Sequence, residues 1–187
     1  MLSTRRLILL TCAALLVGCN DDSATDLTAP RPSLSQAGNQ SVTGHANIPP
    51  QALGGLVERY SFNATRQPNG TVTGEFQIED KFFPGKNGLE RVHGNVTCFS
   101  IQPDGKTVFL GGIIENESLF GIPPGSEAVW TVVDNGAGSG SPADMATDLT
   151  FGFPAGSGAA FFHCLTGTVF TNIPPTPIQS GNIAVNQ

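Results

Sequence analysis

RYSFNATRQPNGTVTGEFQIE, residues 59–79, is the stretch that decides the fold. Tyr60, Phe62 and Ala64 alternate with Arg59, Ser61, Asn63 and Thr65, and Val72, Gly74, Phe76 and Ile78 alternate with Thr71, Thr73, Glu75, Gln77 and Glu79. A period of two sends one side of each run into a core and the other into water, as in a half-buried β-strand. Between the runs, Pro68-Asn69-Gly70 is hairpin grammar, because Asn-Gly tolerates the positive φ that tight hairpin turns require.

Working outward, further strands are predicted at about 89–101, 107–114, 127–134, 147–153, 158–164, 166–171 and 179–186. Turn chemistry separates them at Pro103-Asp104-Gly105, Pro123-Pro124-Gly125, Asp134-Asn135-Gly136 and Pro174-Pro175. No window carries a 3.6-residue apolar stripe. The composition agrees: 23 Gly, 14 Pro and 2 Met in 187 residues, with only 13% charged, leave little material for long helices. Short strands with regular turns predict an all-β chain, an antiparallel β-sandwich or jelly-roll-like single domain over residues 41–187. Residues 20–40 hold only Leu27 and Leu34 as large apolar side chains. They cannot bury enough surface to offset ordering entropy and are expected to form a disordered tether.

Arg5 and Arg6 precede an apolar run from Leu7 to Val17, the length of a signal-peptide core and too short to span a bilayer. It ends in Leu16-Val17-Gly18-Cys19, which resembles the lipobox of bacterial lipoproteins. The resemblance implies a signal peptide over residues 1–18, cleavage after Gly18, and acyl chains (palmitate among them) on Cys19. Two or three chains hold a protein on a membrane where one does not, so residues 19–40 become lipidated Cys plus tether. The implied location is the cell envelope, at the outer membrane, in the periplasm or on the cell surface. An ordinary cleaved leader with a chance Cys is the alternative. Thr4-Arg5-Arg6-Leu7 also brushes the twin-arginine export pattern, so the export route stays open.

Without its leader the chain loses Arg5 and Arg6 and keeps all 15 Asp and Glu, so the formal charge moves from −6 to −8. Scattered basic residues on an acidic domain leave no footprint for nucleic acid. Of the four Cys, Cys12 departs with the leader and Cys19 takes lipid. Cys98 and Cys164 remain and are expected to pair in an oxidising compartment. Two further stretches, Val132-Val133-Asp134-Asn135-Gly136 and Ser180-Gly181-Asn182-Ile183-Ala184-Val185, are similar to secreted bacterial modules called post-COAP domains. That resemblance implies an exported β module and brings no chemistry with it.

Catalytic spacings such as Gly-x-Ser-x-Gly, His-Glu-x-x-His, Cys-x-x-Cys and Walker A do not occur in the sequence. His45, His93 and His163 each fall on a predicted strand, where His163 and Cys164 would face opposite ways. Glu75 with Glu79, and Glu115 with Glu117, share strand faces among polar neighbours and read as solvated. Tyr60 and Trp130 sit beside aliphatic residues and are expected in the core. Lys81-Phe82-Phe83-Pro84-Gly85-Lys86 reads as a loop whose Phe82 and Phe83 are candidates for contact with an envelope protein or a glycan. The Gly-rich loop from Asp134 to Asp148 offers Asp134, Asp144 and Asp148 as a candidate calcium site, since Ca²⁺ takes 6–8 oxygens with loose geometry; no other cofactor is expected. The expected function is a membrane-anchored lipoprotein acting as a binding or structural module. The alternative is a small cell-envelope hydrolase, glycan-directed, with a site built from loops.

Overall fold

The computed structural model describes residues 39–49, 58–80, 90–116, 121–137, 139–167 and 174–187. All lie in one unit, Ser35–Gln187. The leader, Cys19, the tether as far as residue 38, and Phe82 and Phe83 lie outside the described residues.

In chain order the elements are β1 (Gln40–Ile48), β2 (Glu58–Arg66), β3 (Val72–Asp80), β4 (Glu90–Ile101), β5 (Thr107–Ile114), β6 (Glu127–Val133), β7 (Met145–Ala146), β8 (Thr150–Phe153), α1 (Ala159–Thr166), β9 (Thr176–Pro177) and β10 (Ser180–Asn186). The strands form one sheet in the order β10-β1-β2-β3-β4-β5-β6-β7-β9, with β8 also paired to β6. Every pairing is antiparallel, so the all-β expectation holds. The β2–β3 hairpin forms where Asn-Gly places it: Gly70 has φ 85°, and the Thr71 N–H donates to Asn69 Oδ1 at 2.9 Å.

The sheet curls around its inner face. Phe62 of β2 and Phe76 of β3 meet Trp130 of β6 with ring centroids 5.9 and 5.2 Å apart, although four places separate β2 from β6 in the strand order. Tyr60, Phe76, Phe99, Leu110, Trp130 and Val132 are all at most 2% exposed. Tight-fitting aromatics build this core. A Cβ on Gly94 or Gly112 would lie 2.5–2.6 Å from the Phe76 ring, so the two glycines make room for it. The start of β2 is tied to the segment after β7: the Tyr60 hydroxyl donates to the Thr147 carbonyl at 3.2 Å, and the Leu149 N–H donates to Glu58 at 2.9 Å.

Carboxylates hold the seam where the curl brings β10 back to the β6–β7 connection. One edge of β10 pairs with β1. On the other, the Ile183 N–H donates to Asp144 Oδ2 at 2.8 Å and the Val185 N–H to Asp134 Oδ2 at 2.9 Å. Side chains thereby satisfy edge amides that would otherwise template pairing with another chain. The two stretches that carry the post-COAP resemblance meet at this seam.

One expectation is corrected. Residues 158–164 are not a strand: Gly158 is a helix N-cap and α1 covers the rest, lying on the outer face of β4, β5 and β6. The predicted strand 166–171 likewise begins inside α1, and residues 168–171 fall outside the described residues. An eight-residue helix is too short to hold itself, so its supports are tertiary. Glu127 of β6, 5% exposed, accepts the Gly158 N–H at 3.0 Å through Oε1 and the Ala160 N–H at 2.8 Å through Oε2. The carboxylate thus caps the helix from another strand and complements its dipole. Gly111 lets the helix approach, since a Cβ there would meet Ala160 backbone at 2.8 Å. Val129, Ala160, Cys98 and Phe153 form a second, smaller core beneath it. Cys98 and Cys164 are joined as a disulfide, with their Cα atoms 6.2 Å apart.

Candidate functional site

With α1 covering β4–β6, no other described element covers the outer face of β1–β4, and the period of two makes it polar. Arg59, Ser61 and Asn63 alternate there with the buried Tyr60, Phe62 and Ala64 of β2. The register lines up His45, Ser61, Gln77 and His93 across four strands. Arg59, Glu79 and Arg91 form a neighbouring row, and Asn63, Glu75 and Asn95 another.

Two shallow hollows of about 160 and 190 Å³ adjoin on this face and share Ser61 and Gln77. Glu75 and His93 border the first, and His45, Arg59 and Glu79 the second. The rim is held by contacts between side chains. His93 Nδ1 lies 3.2 Å from Glu115 and its Nε2 3.7 Å from Glu75. Arg91 meets Glu79 at 3.0 Å, and Gln77 donates to the same carboxylate at 3.2 Å. Asn95 donates to Glu115. Asn116 fixes this corner: its Oδ1 accepts the His93 N–H at 2.7 Å and its Nδ2 donates to the Arg91 carbonyl at 3.0 Å. In this way β4 keeps a hydrogen-bonded neighbour beyond the end of β5.

Chemically this face offers amides, carboxylates, two guanidiniums, imidazoles and a hydroxyl, all in reach of water. Among the described residues no hydrogen bond joins Ser61 to His45, its cross-strand neighbour on β1. Gln77 stands between Ser61 and His93 in the register, which puts two strand spacings, roughly 10 Å, between their backbones. His93 also occupies the space between Glu75 and Glu115 that a carboxylate-pair glycosidase keeps for its substrate.

No protein family, curated protein or solved structure matches this chain.

The residues singled out in the sequence fall out as follows. Cys19, Phe82 and Phe83 lie outside the described residues. Cys98 and Cys164 are brought together. Asp134 and Asp144 share the seam, where Asp134 Oδ1 also accepts the Gly136 N–H at 2.7 Å and Asp144 Oδ1 the Asn135 N–H at 2.9 Å. Asp148 lies close enough to Tyr60 for its charge to raise the phenol's pKa, after burial and Glu58. Burial raises the pKa of Asp148 itself. Among the described residues no group of three His, Cys, Asp or Glu is placed to hold a metal.

His163 lies on α1 and is 3% exposed, unlike the open His93. Its Nε2 is 3.0 Å from the Trp130 carbonyl and 3.2 Å from Thr131 Oγ1, and burial pushes its pKa down. Large apolar exposure occurs on α1, unannounced by any sequence pattern: Phe161 and Leu165 are each 69% exposed.

Proposed function

We propose that the chain is an extracytoplasmic lipoprotein, anchored through acyl chains on Cys19, that presents the open polar face of β1–β4 to a glycan of the cell envelope. The pair of adjoining hollows carries this reading. Their lining is polar and mixed in sign, with small Ser61 and flexible Gln77 at the centre, which suits a ligand rich in hydroxyls. A protein partner would call for apolar or aromatic anchors at the centre of the face, and the outward side chains here provide none. The anchor rests on the lipobox resemblance of Leu16-Val17-Gly18-Cys19.

Two measurements test it. Full-length protein should partition into detergent, while Cys19→Ala should give an unprocessed or aqueous form; unacylated wild type in the aqueous phase ends the anchoring half. Titration with neutral oligosaccharides should move the amide signals of Ser61, Gln77 and His93. Ser61→Trp should block the hollows, and Gln77→Ala should weaken binding about fivefold, the equivalent of a lost hydrogen bond of ~1 kcal/mol. Binding indifferent to both substitutions ends the glycan half.

A glycan-directed hydrolase is the second reading, and the Glu75–His93 contact in the first hollow favours it. It requires that Glu75→Gln abolish turnover of an oligosaccharide that the wild type cleaves.

A further inference from the structure

The side of the domain opposite the hollows is of another kind. Phe62 of β2 meets Trp130 of β6 across the core, so the outer faces of β2 and β6 point opposite ways. On the second of them lies α1, whose inward residues Ala159, Ala160, His163 and Cys164 are buried. Four large apolar side chains are exposed among the described residues, and all four are here. Phe161, Phe162 and Leu165 on the helix are 69, 48 and 69% exposed, and Ile113 of β5 is 39% exposed. Ile113 stands across from Glu127, the helix cap. That cap fixes one end of the helix and the Cys98–Cys164 disulfide holds it near the other, so these side chains cannot turn inward. From Pro154 to Gly167 the chain carries no Asp, Glu, Lys or Arg, in a protein whose formal charge is −6.

Size and location say what covers this patch. At about 200 Å² for a whole aromatic or large aliphatic side chain, the exposed parts sum to roughly 400 Å², half of the ~800 Å² that each partner of a stable protein complex buries. A second copy or a free partner would therefore be held poorly. A surface to which the chain is already tethered need not hold strongly, because a short linker gives an effective concentration of about millimolar. Twenty residues separate Cys19 from Gln40, and a flexible chain of that length has a mean reach of about 25 Å. Gln40 Oε1 accepts from Arg66 at 3.2 Å, Arg66 donates also to the Phe99 carbonyl, and Cys98 beside it is bonded to Cys164 of α1. Ala160 packs on Gly111 and Gly167 on Phe109, nearer the start of β5. The helix thus runs toward the end of the sheet where the chain from Cys19 joins it.

We propose that Phe161, Phe162 and Leu165 dock into the lipid surface that holds the acyl chains of Cys19, at the boundary between headgroups and tails. Lipid is an occupant that an uncharged apolar patch on an acidic protein meets without a basic residue. Docked in this way, the domain turns the hollows of β1–β4 away from the bilayer. The proposal rests on the anchoring reading, so its test supplies the anchor chemically.

Full-length protein carrying Cys12→Ser has Cys19 as its one thiol outside the disulfide. It is coupled there to vesicles of phosphatidylcholine containing a maleimide-bearing phosphatidylethanolamine. Phe161→Trp adds an indole on the patch, while Trp130, 1% exposed, stays shielded in the core. On the vesicles the added emission should shift to the blue and be quenched when the lipid tails are brominated, and high salt should not reverse it. Phe162→Ser with Leu165→Ser removes only exposed apolar surface. The pair should leave coupling and the urea midpoint unchanged and abolish both the shift and the quenching. An indole that stays in water on coupled vesicles, or quenching that survives the double substitution, would overturn docking alone. Self-association of uncoupled protein that the double substitution abolishes would overturn it in favour of a second copy. A cellular protein without acyl chains would overturn the anchoring reading and, with it, the occupant named here, whatever the vesicles show.

Discussion

Removing the carboxylate of Glu127 should detach the only helix among the described residues from its cap. In Glu127→Ala two amides lose their acceptor, and they are not equivalent. Gly158 is exposed and its N–H can rehydrate, whereas Ala160 is 4% exposed and its N–H cannot. A hydrogen bond to a charged group contributes ~1.5–3 kcal/mol when its buried partner is left unmatched. The rehydrated amide adds a few tenths, and the lost charge at the helix N-terminus ~0.5–1 kcal/mol. The expected loss is about 3 kcal/mol. Glu127→Gln retains one acceptor oxygen but turns an NH₂ toward the second amide and removes the charge, for about 1–2 kcal/mol. Urea unfolding of the oxidised protein, at ~1–3 kcal/mol per molar, would show the Ala variant with a midpoint lower by about 1–3 M. Hydrogen exchange should place the loss at Phe162, whose N–H makes the first helical bond to Gly158 O. An Ala variant within 0.5 kcal/mol of wild type, or a Gln variant as costly as Ala, would refute the cap.

Asp144→Ala removes the acceptors of the Ile183 and Asn135 amides and should cost about 2–3 kcal/mol, with exchange protection lost first at Ile183. Calcium at Asp134 and Asp144 would have to displace β10 amides, so melts in calcium and in chelator should coincide; a rise accompanied by loss of protection at Ile183 and Val185 would argue for a real site. Because the folded pKa of His163 lies below the unfolded value of about 6.5, the unfolded chain takes up the proton first. Stability should therefore fall as pH drops below ~6.5, by up to about 1.4 kcal/mol per pH unit, and His163→Gln should flatten that part of the pH–urea profile. Reducing Cys98–Cys164, with its separation of 66 residues, should cost roughly 4 kcal/mol in the chain-entropy account, read from urea midpoints with and without reductant.

The strands were legible because most of them are half-buried, and a strand with one wet face writes its period directly into the sequence. Tyr60, Phe62 and Ala64 point inward as their alternation requires. The helix was illegible for the opposite reason. Phe161, Phe162 and Leu165 are exposed on it, with Thr166, while Ala159, Ala160, His163 and Cys164 are buried, so hydrophobicity marks the wrong side. Its cap stands 31 and 33 residues upstream, on Glu127, where no local rule looks. Gly158 and Gly167, both left-handed at its two ends, were the one available signal. The open polar face could be read strand by strand but not as a surface: periodicity puts Ser61 and Gln77 outward, while only register makes them neighbours. Asp134 and Asp144 drew attention as oxygen ligands; their partners proved to be the amides of a strand some forty to fifty residues later.

The seam also governs the order in which the chain can finish folding. Strand β1 needs two neighbours, β2 directly after it and β10, which follows every other strand; Asn186 and Ser41 touch across 145 residues. As the chain emerges N-terminus first, β1 through β9 can form while β1 keeps a bare edge and Asp134 and Asp144 still lack the β10 amides. Closing so long a loop is slow compared with hairpin formation, and an open edge is a template for misassembly in the interval. A chain stalled before Ser180 should therefore be more prone to self-association than the finished protein. Strand β10, legible in the sequence as one more short strand, is what turns a sticky sheet into a self-contained one.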